Sequence, residues 1–137
     1  MAIVAELLRA EEDGTLSFGN YTLDTKSKLS DFEHDGDIYK VKTFNEITKL
    51  ERNGVFVYES VPGTAVNNFY ESDKEMKFSV EGEDDASITV EAENGAEYKV
   101  YVDGVSVGTV TANMGGKLVL SVELNKGQAS EVKLIKE

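Results

Sequence analysis

The chain has no cysteine, no tryptophan, one proline and one histidine among its 137 residues. Without cysteine there can be no disulfide, zinc–thiolate site or thiol nucleophile, so stability must come from packing alone. Cations are also scarce. Lys and Arg number 14 against 26 Asp and Glu, a net charge of −12 spread along the whole length. A field of that sign repels phosphate backbones and anionic lipid, so no nucleic acid and no membrane surface is expected as a partner. No run approaches the roughly 20 apolar residues of a membrane-spanning helix. The opening "MAIVAELLRAEEDG" breaks its apolar stretch with Glu6 and Arg9 and has no basic leader. A signal peptide is therefore not expected, and a soluble, cytoplasmic chain is, unless a leader precedes this sequence. No Walker loop or G-x-G-x-x-G is present, and no cofactor is expected.

What the chain does have is apolar residues, 40% of the total, and regularly spaced turn signals. Asp-Gly or Asn-Gly pairs begin at positions 13, 35, 53, 94 and 103, and Pro62-Gly63 reads as a type II turn. Between them the apolar residues alternate. Phe78 and Val80, Ile88 and Val90, Val100 and Val102, then Leu118, Leu120, Val122 and Leu124 each mark one face of a strand. The expected fold is all-β: an antiparallel β-sandwich or two small packed β modules, with at most one short helix. Residues 76 to 137 read as five or six antiparallel strands. The acidic link "ESDKE" is the natural boundary, giving an N-terminal β region, 1–72, and a C-terminal sandwich-like region, 73–137, packed as one unit.

The clearest hairpin is "YKVYVDGVSVGTVTA", Tyr98 to Ala112. A two-residue turn at Asp103-Gly104 pairs Val102 with Val105, Val100 with Val107 and Tyr98 with Thr109 on an apolar, core-facing side. Tyr101 with Ser106 and Lys99 with Gly108 then face outward, and Gly108 leaves a shallow gap beside the Tyr101 ring.

The N-terminal half carries a first hairpin about Asp13-Gly14 and a strand in which Tyr39, Val41 and Thr43 alternate with Ile38, Lys40 and Lys42. The segment "TFNEITKLERNG" offers a capping box, Thr43 with Glu46, and also a hairpin turn, Asn53-Gly54; the strand-like "VFVYESV" that follows favours the hairpin. In that strand Val55 and Val57 alternate with Phe56 and Tyr58, so both faces are apolar. A sandwich strand needs only one apolar face, and the second predicts cover from the other half of the chain or from another subunit.

Chemistry-bearing residues are few. His34 lies among Glu33, Asp35 and Asp37, where an acid–base or metal role competes with that of an ordinary surface turn. The loops at Asp35-Gly-Asp37 and Glu83-Asp-Asp85 could give oxygens to calcium, yet neither has the spacing of a dedicated calcium loop. No Gly-x-Ser-x-Gly elbow supports a serine nucleophile. No catalytic or metal-ligating residue is therefore assigned. The binding candidates are the aromatics Tyr101, Phe56, Tyr58 and Tyr70, which could meet a partner or stack on sugar rings.

The stretch "ASITVEAENGAEYKVYVDGVSVGTVTANMGGKLVLSVEL" resembles the fibronectin-III-like and Ig-like β-sandwich modules of bacterial carbohydrate-active and surface proteins. The resemblance lies in Tyr98, Val100, Val102, Asp103 and Gly104, followed by Gly116, Lys117 and Leu118. It implies a sandwich fold and an accessory role and carries no catalytic residues. The whole chain loosely resembles short proteins of anaerobic bacteria labelled endosialidase, although nothing in it resembles that enzyme's catalytic machinery.

Three function classes follow. The preferred one is a non-catalytic structural, assembly or protein-interaction protein, a homo-oligomer or one that docks on a protein partner. The alternatives are a glycan-binding module using exposed tyrosines, and a small hydrolase.

Overall fold

A computed structural model describes residues 3–137. Its strands run β1 (Leu8–Ala10), β2 (Leu16–Phe18), β3 (Ser27–His34), β4 (Asp37–Thr43), β5 (Thr48–Arg52), β6 (Val55–Val61) and β7 (Ala65–Glu71). There follow β8 (Glu75–Glu81), β9 (Ala86–Glu91), β10 (Glu97–Val102), β11 (Val105–Thr111), β12 (Lys117–Val122) and β13 (Ser130–Lys136). All pairings are antiparallel, in two sheets: seven strands ordered β1-β2-β7-β8-β13-β10-β11, and six ordered β12-β9-β6-β5-β4-β3. Among the described residues there is no helix, as the all-β reading expects.

Both sheets draw on both halves of the chain, and the boundary expected at 72/73 falls in the turn of the β7–β8 hairpin. Apolar residues of the alternating strands meet between the sheets, where Phe18, Tyr58, Phe69 and Phe78 pack mainly edge to face with centroids 5.3–6.4 Å apart. Tyr39, Val41 and Thr43 are buried, as are Leu118, Leu120, Val122 and Leu124, so the alternation in β4 and β12 reads as expected.

Turn chemistry sets the connections. Asp35-Gly36, Asn53-Gly54 and Asp103-Gly104 each have two successive positive φ angles, the signature of a type I′ hairpin. The segment 44–53 is hairpin throughout: Phe44 and Ile47 close the β4–β5 turn, and Asn53-Gly54 joins β5 to β6. Two expectations need correction. Asn94-Gly95 turns the chain from one sheet to the other, since β9 and β10 lie in different sheets. Pro62-Gly63 is no type II turn, because Gly63 lacks the positive φ; it donates its N–H to the Asn45 carbonyl, and a Cβ there would overlap the Phe44 carbonyl.

The double apolar face of β6 also resolves within the chain. Leu50 lies opposite Tyr58 and Glu51 opposite Phe56, which leaves Val57 as the extra residue of a β-bulge. Val57 and Tyr58 are consecutive yet both wholly buried, so the strand turns two neighbours into the core and needs no second subunit to cover them.

Next to this core sits a buried polar cluster. Thr48 Oγ1 donates to the Thr64 carbonyl at 2.8 Å and accepts from the Thr64 N–H at 3.1 Å. With its one proton spent there, Thr48 must accept from Thr43 Oγ1 at 2.8 Å, and Thr43 accepts in turn from the Asn20 N–H. Thr64 Oγ1 meets both the Tyr58 hydroxyl and Ser60 Oγ at 2.8 Å.

Candidate functional site

The outer face of the seven-stranded sheet carries two of the four aromatic candidates. Tyr70 on β7 lies opposite Lys77 on β8, Lys77 opposite Lys133 on β13, and Lys133 opposite Tyr101 on β10. The four side chains thus form one row straight across the sheet, with the tyrosines three strand spacings, about 14 Å, apart. Lys77 Nζ lies 5.6 Å from the Tyr70 ring centroid, a cation–π contact. A shallow trough of about 630 Å³ runs beside the row, lined by Tyr101, Lys77, Lys133, Ser79, Asn68 and Glu131 among others, while Tyr70 stands outside it.

The other two candidates are placed elsewhere. Phe56 is half-buried on the outer face of the six-stranded sheet, with Lys117 Nζ 5.0 Å from its ring centroid. Tyr58 is corrected as a surface candidate: it is wholly buried and its hydroxyl is held by Thr64, so a ligand has no surface to meet. Burial also pushes its phenol above the usual tyrosine range.

Several of the remaining polar candidates have structural partners. His34 Nε2 lies 3.0 Å from the Gly14 carbonyl and 3.3 Å from Asp35 Oδ2, tying the β3–β4 turn to the β1–β2 turn. Asp37 accepts from the Asn53 side-chain amide and Asp85 from the Leu124 N–H. Among the described residues, no three His, Asp or Glu side chains gather as a metal site. Asp103 accepts from the Glu131 N–H at 2.9 Å and so fastens the β10–β11 turn to β13.

The departure with the largest consequence is in that hairpin. Val102 pairs with Val105 and Tyr101 with Ser106 as expected, but Val100 pairs with Gly108, Lys99 with Thr109 and Tyr98 with Val110. Val107 is therefore the extra residue of a bulge, next to Gly108 at φ +116°. The expected core face does not extend over β11, where Val105 is 64% and Val107 60% exposed. The reason is the unequal size of the sheets. Packing of β1 against β3 aligns them at one edge, so the seventh strand, β11, overhangs the six beneath it. Below the overhang lies a groove of about 610 Å³ lined by Val102, Val107, Ser121, Val122 and Glu123 with the loop before β13.

Sequence reasoning also missed a cluster on the opposite sheet. Lys28, Lys42 and Lys49 lie directly opposite one another on β3, β4 and β5, although the cations look scattered in sequence. Their positions on the wet faces of β4 and β5, joined by a tight turn, were the available signal.

No family model, curated protein sequence or solved structure matches the chain.

Proposed function

We propose that this is a non-catalytic interaction protein that self-associates through the free edge of β11. The observation that carries the reading is the overhang: every residue of β11 is exposed except Val110, and among the described residues the outer edge of the strand has no neighbour. Exposed edge strands template further pairing, and natural sheets usually guard them with charge, shortness or bulges. The other three edges carry charge, or are short. β1 is three residues long with Arg9, β3 holds Lys28, Asp31, Glu33 and His34, and β12 begins with Lys117. "VSVGTVT" has no charge in a chain of net −12, and only the bulge interrupts it.

A second copy is the occupant favoured by composition, because an uncharged, β-branched strand is complementary to itself in antiparallel register about a two-fold axis. Seven residues of strand span about 24 Å, which places the contact among the small, concentration-dependent interfaces. The resemblance of the C-terminal half to accessory sandwich modules agrees with a role without chemistry.

The test is light scattering across a concentration series, comparing the wild type with Val107→Lys. The wild type should shift from monomer to dimer as concentration rises, and the variant, which brings like charges together at the pairing edge, should stay monomeric. A wild type that remains monomeric at every concentration contradicts the proposal.

A glycan-binding reading keeps one specific support, the transverse row ending in Tyr101 and Tyr70 beside a trough of ligand-pocket size. Tyr101→Ala should then abolish any shift of backbone NMR signals that neutral oligosaccharides induce in β10 and β13. No comparable observation favours the hydrolase.

A further inference from the structure

On the outer face of the six-stranded sheet, Lys28, Lys42 and Lys49 form one cross-strand row, and Lys40 lies one pleat away opposite Glu51. Neighbouring strands are about 4.8 Å apart, so the backbones of the three opposed lysines span only about 10 Å. Lys26 joins them from just before β3: it is among the charges that act on Lys42, and its ammonium lies 5.9 Å from the Phe44 ring centroid. Carboxylates near the group are Glu51, 3.5 Å from Lys49, Glu59, opposite Lys49 in register and felt by Lys42, and Asp31, in the β3 bulge opposite Lys40. Five lysines thus gather on one sheet face of a chain whose net charge is −12.

Like charges directly opposite across strands destabilise a sheet. The Lys42 ammonium registers this: partial burial first, then Lys26, Lys49 and Lys28, hold its pKa below the usual lysine range. Between Lys28, Lys40, Lys42 and Lys49 lies a depression of about 60 Å³, with Glu51, the ion-pair partner of Lys49, completing its lining. That is room for one ionic group and too little for a sugar or nucleobase ring.

We infer that this depression is a binding site for a tetrahedral oxyanion, a phosphate or sulfate group, held by Lys28, Lys40, Lys42 and Lys49. Ammonium groups converging from several directions act as point charges and suit a compact, multiply charged tetrahedral ion. Planar carboxylate recognition instead uses the guanidinium fork, which does not line this depression. Occupancy would offset the repulsion within the row, so the anion should stabilise the folded state by mass action. This site is independent of the β11 edge, which lies in the other sheet.

The experiment is thermal unfolding of the full chain in rising inorganic phosphate, in sodium chloride of matched ionic strength, and in a hexose phosphate. Backbone NMR titration of the same samples locates the response. Phosphate should raise Tm above the chloride control and shift signals in β3, β4 and β5. The double variant Lys42→Gln/Lys49→Gln should gain Tm at low salt and lose the phosphate-specific response. An equal response to hexose phosphate and free phosphate assigns the site to the ion, and a stronger one to hexose phosphate assigns it to the group carried on an organic molecule. Equal Tm in phosphate and matched chloride, or a phosphate response that survives in the double variant, overturns the inference.

Discussion

At the residue scale, single hydroxyls settle more than the aromatic candidates do. Thr48 satisfies both backbone groups of Thr64 and accepts from Thr43, all without access to water. Thr48→Val keeps the shape and removes those bonds, leaving buried groups unpaired at a cost of about 1–3 kcal/mol each. Chemical denaturation should show a loss of about 2 kcal/mol or more, whereas Thr109→Val on the exposed β11 should change stability by less than about 0.5 kcal/mol. Equal, small effects at the two sites would remove the structural role assigned to the cluster. Nothing in the sequence marked Thr43, Thr48 and Thr64 as partners. Thr43 was legible as an inward-facing residue of β4, but a hydroxyl network across 21 positions depends on how three strands and two loops converge, which no local pattern encodes.

At the element scale, the strands were legible and the bulges were not. The alternation of apolar residues gives β4, β8, β9 and β12 their correct inward faces because each keeps strict period two. β6 and β11 break that period by one residue, at Val57 and Val107, with opposite results. In β6 the extra residue is absorbed by the core, so of the two covers that an apolar strand on both faces predicts, the chain itself supplies the one over Val57 and Tyr58. In β11 the extra residue lies on the overhang, and the valines read as core are exposed. Gly108 was the available clue, since a glycine inside a strand often marks a bulge. Open space surrounds the position of a Cβ at Gly108, so Gly108→Ala should destabilise through the positive φ alone, by about 1 kcal/mol. Denaturant midpoints measure this; an unchanged or raised midpoint would mean that the bulge is not fixed at that position.

At the scale of the whole molecule, two features depend on assembly of the sheets. One is charge: lysines that are separated in sequence gather on one face because β3, β4 and β5 pair in register. The other is the mismatch of seven strands over six, which leaves an uncharged strand projecting beyond its support. Pairing at that edge is the central claim. Amide hydrogen exchange of β11 tests it most directly, because a second strand would cover N–H groups that have no bond to β10. The claim predicts that those amides exchange rapidly in dilute protein and become protected as concentration rises, with no change at the guarded edges β1, β3 and β12. Rapid exchange along the outer edge of β11 at every concentration would contradict it.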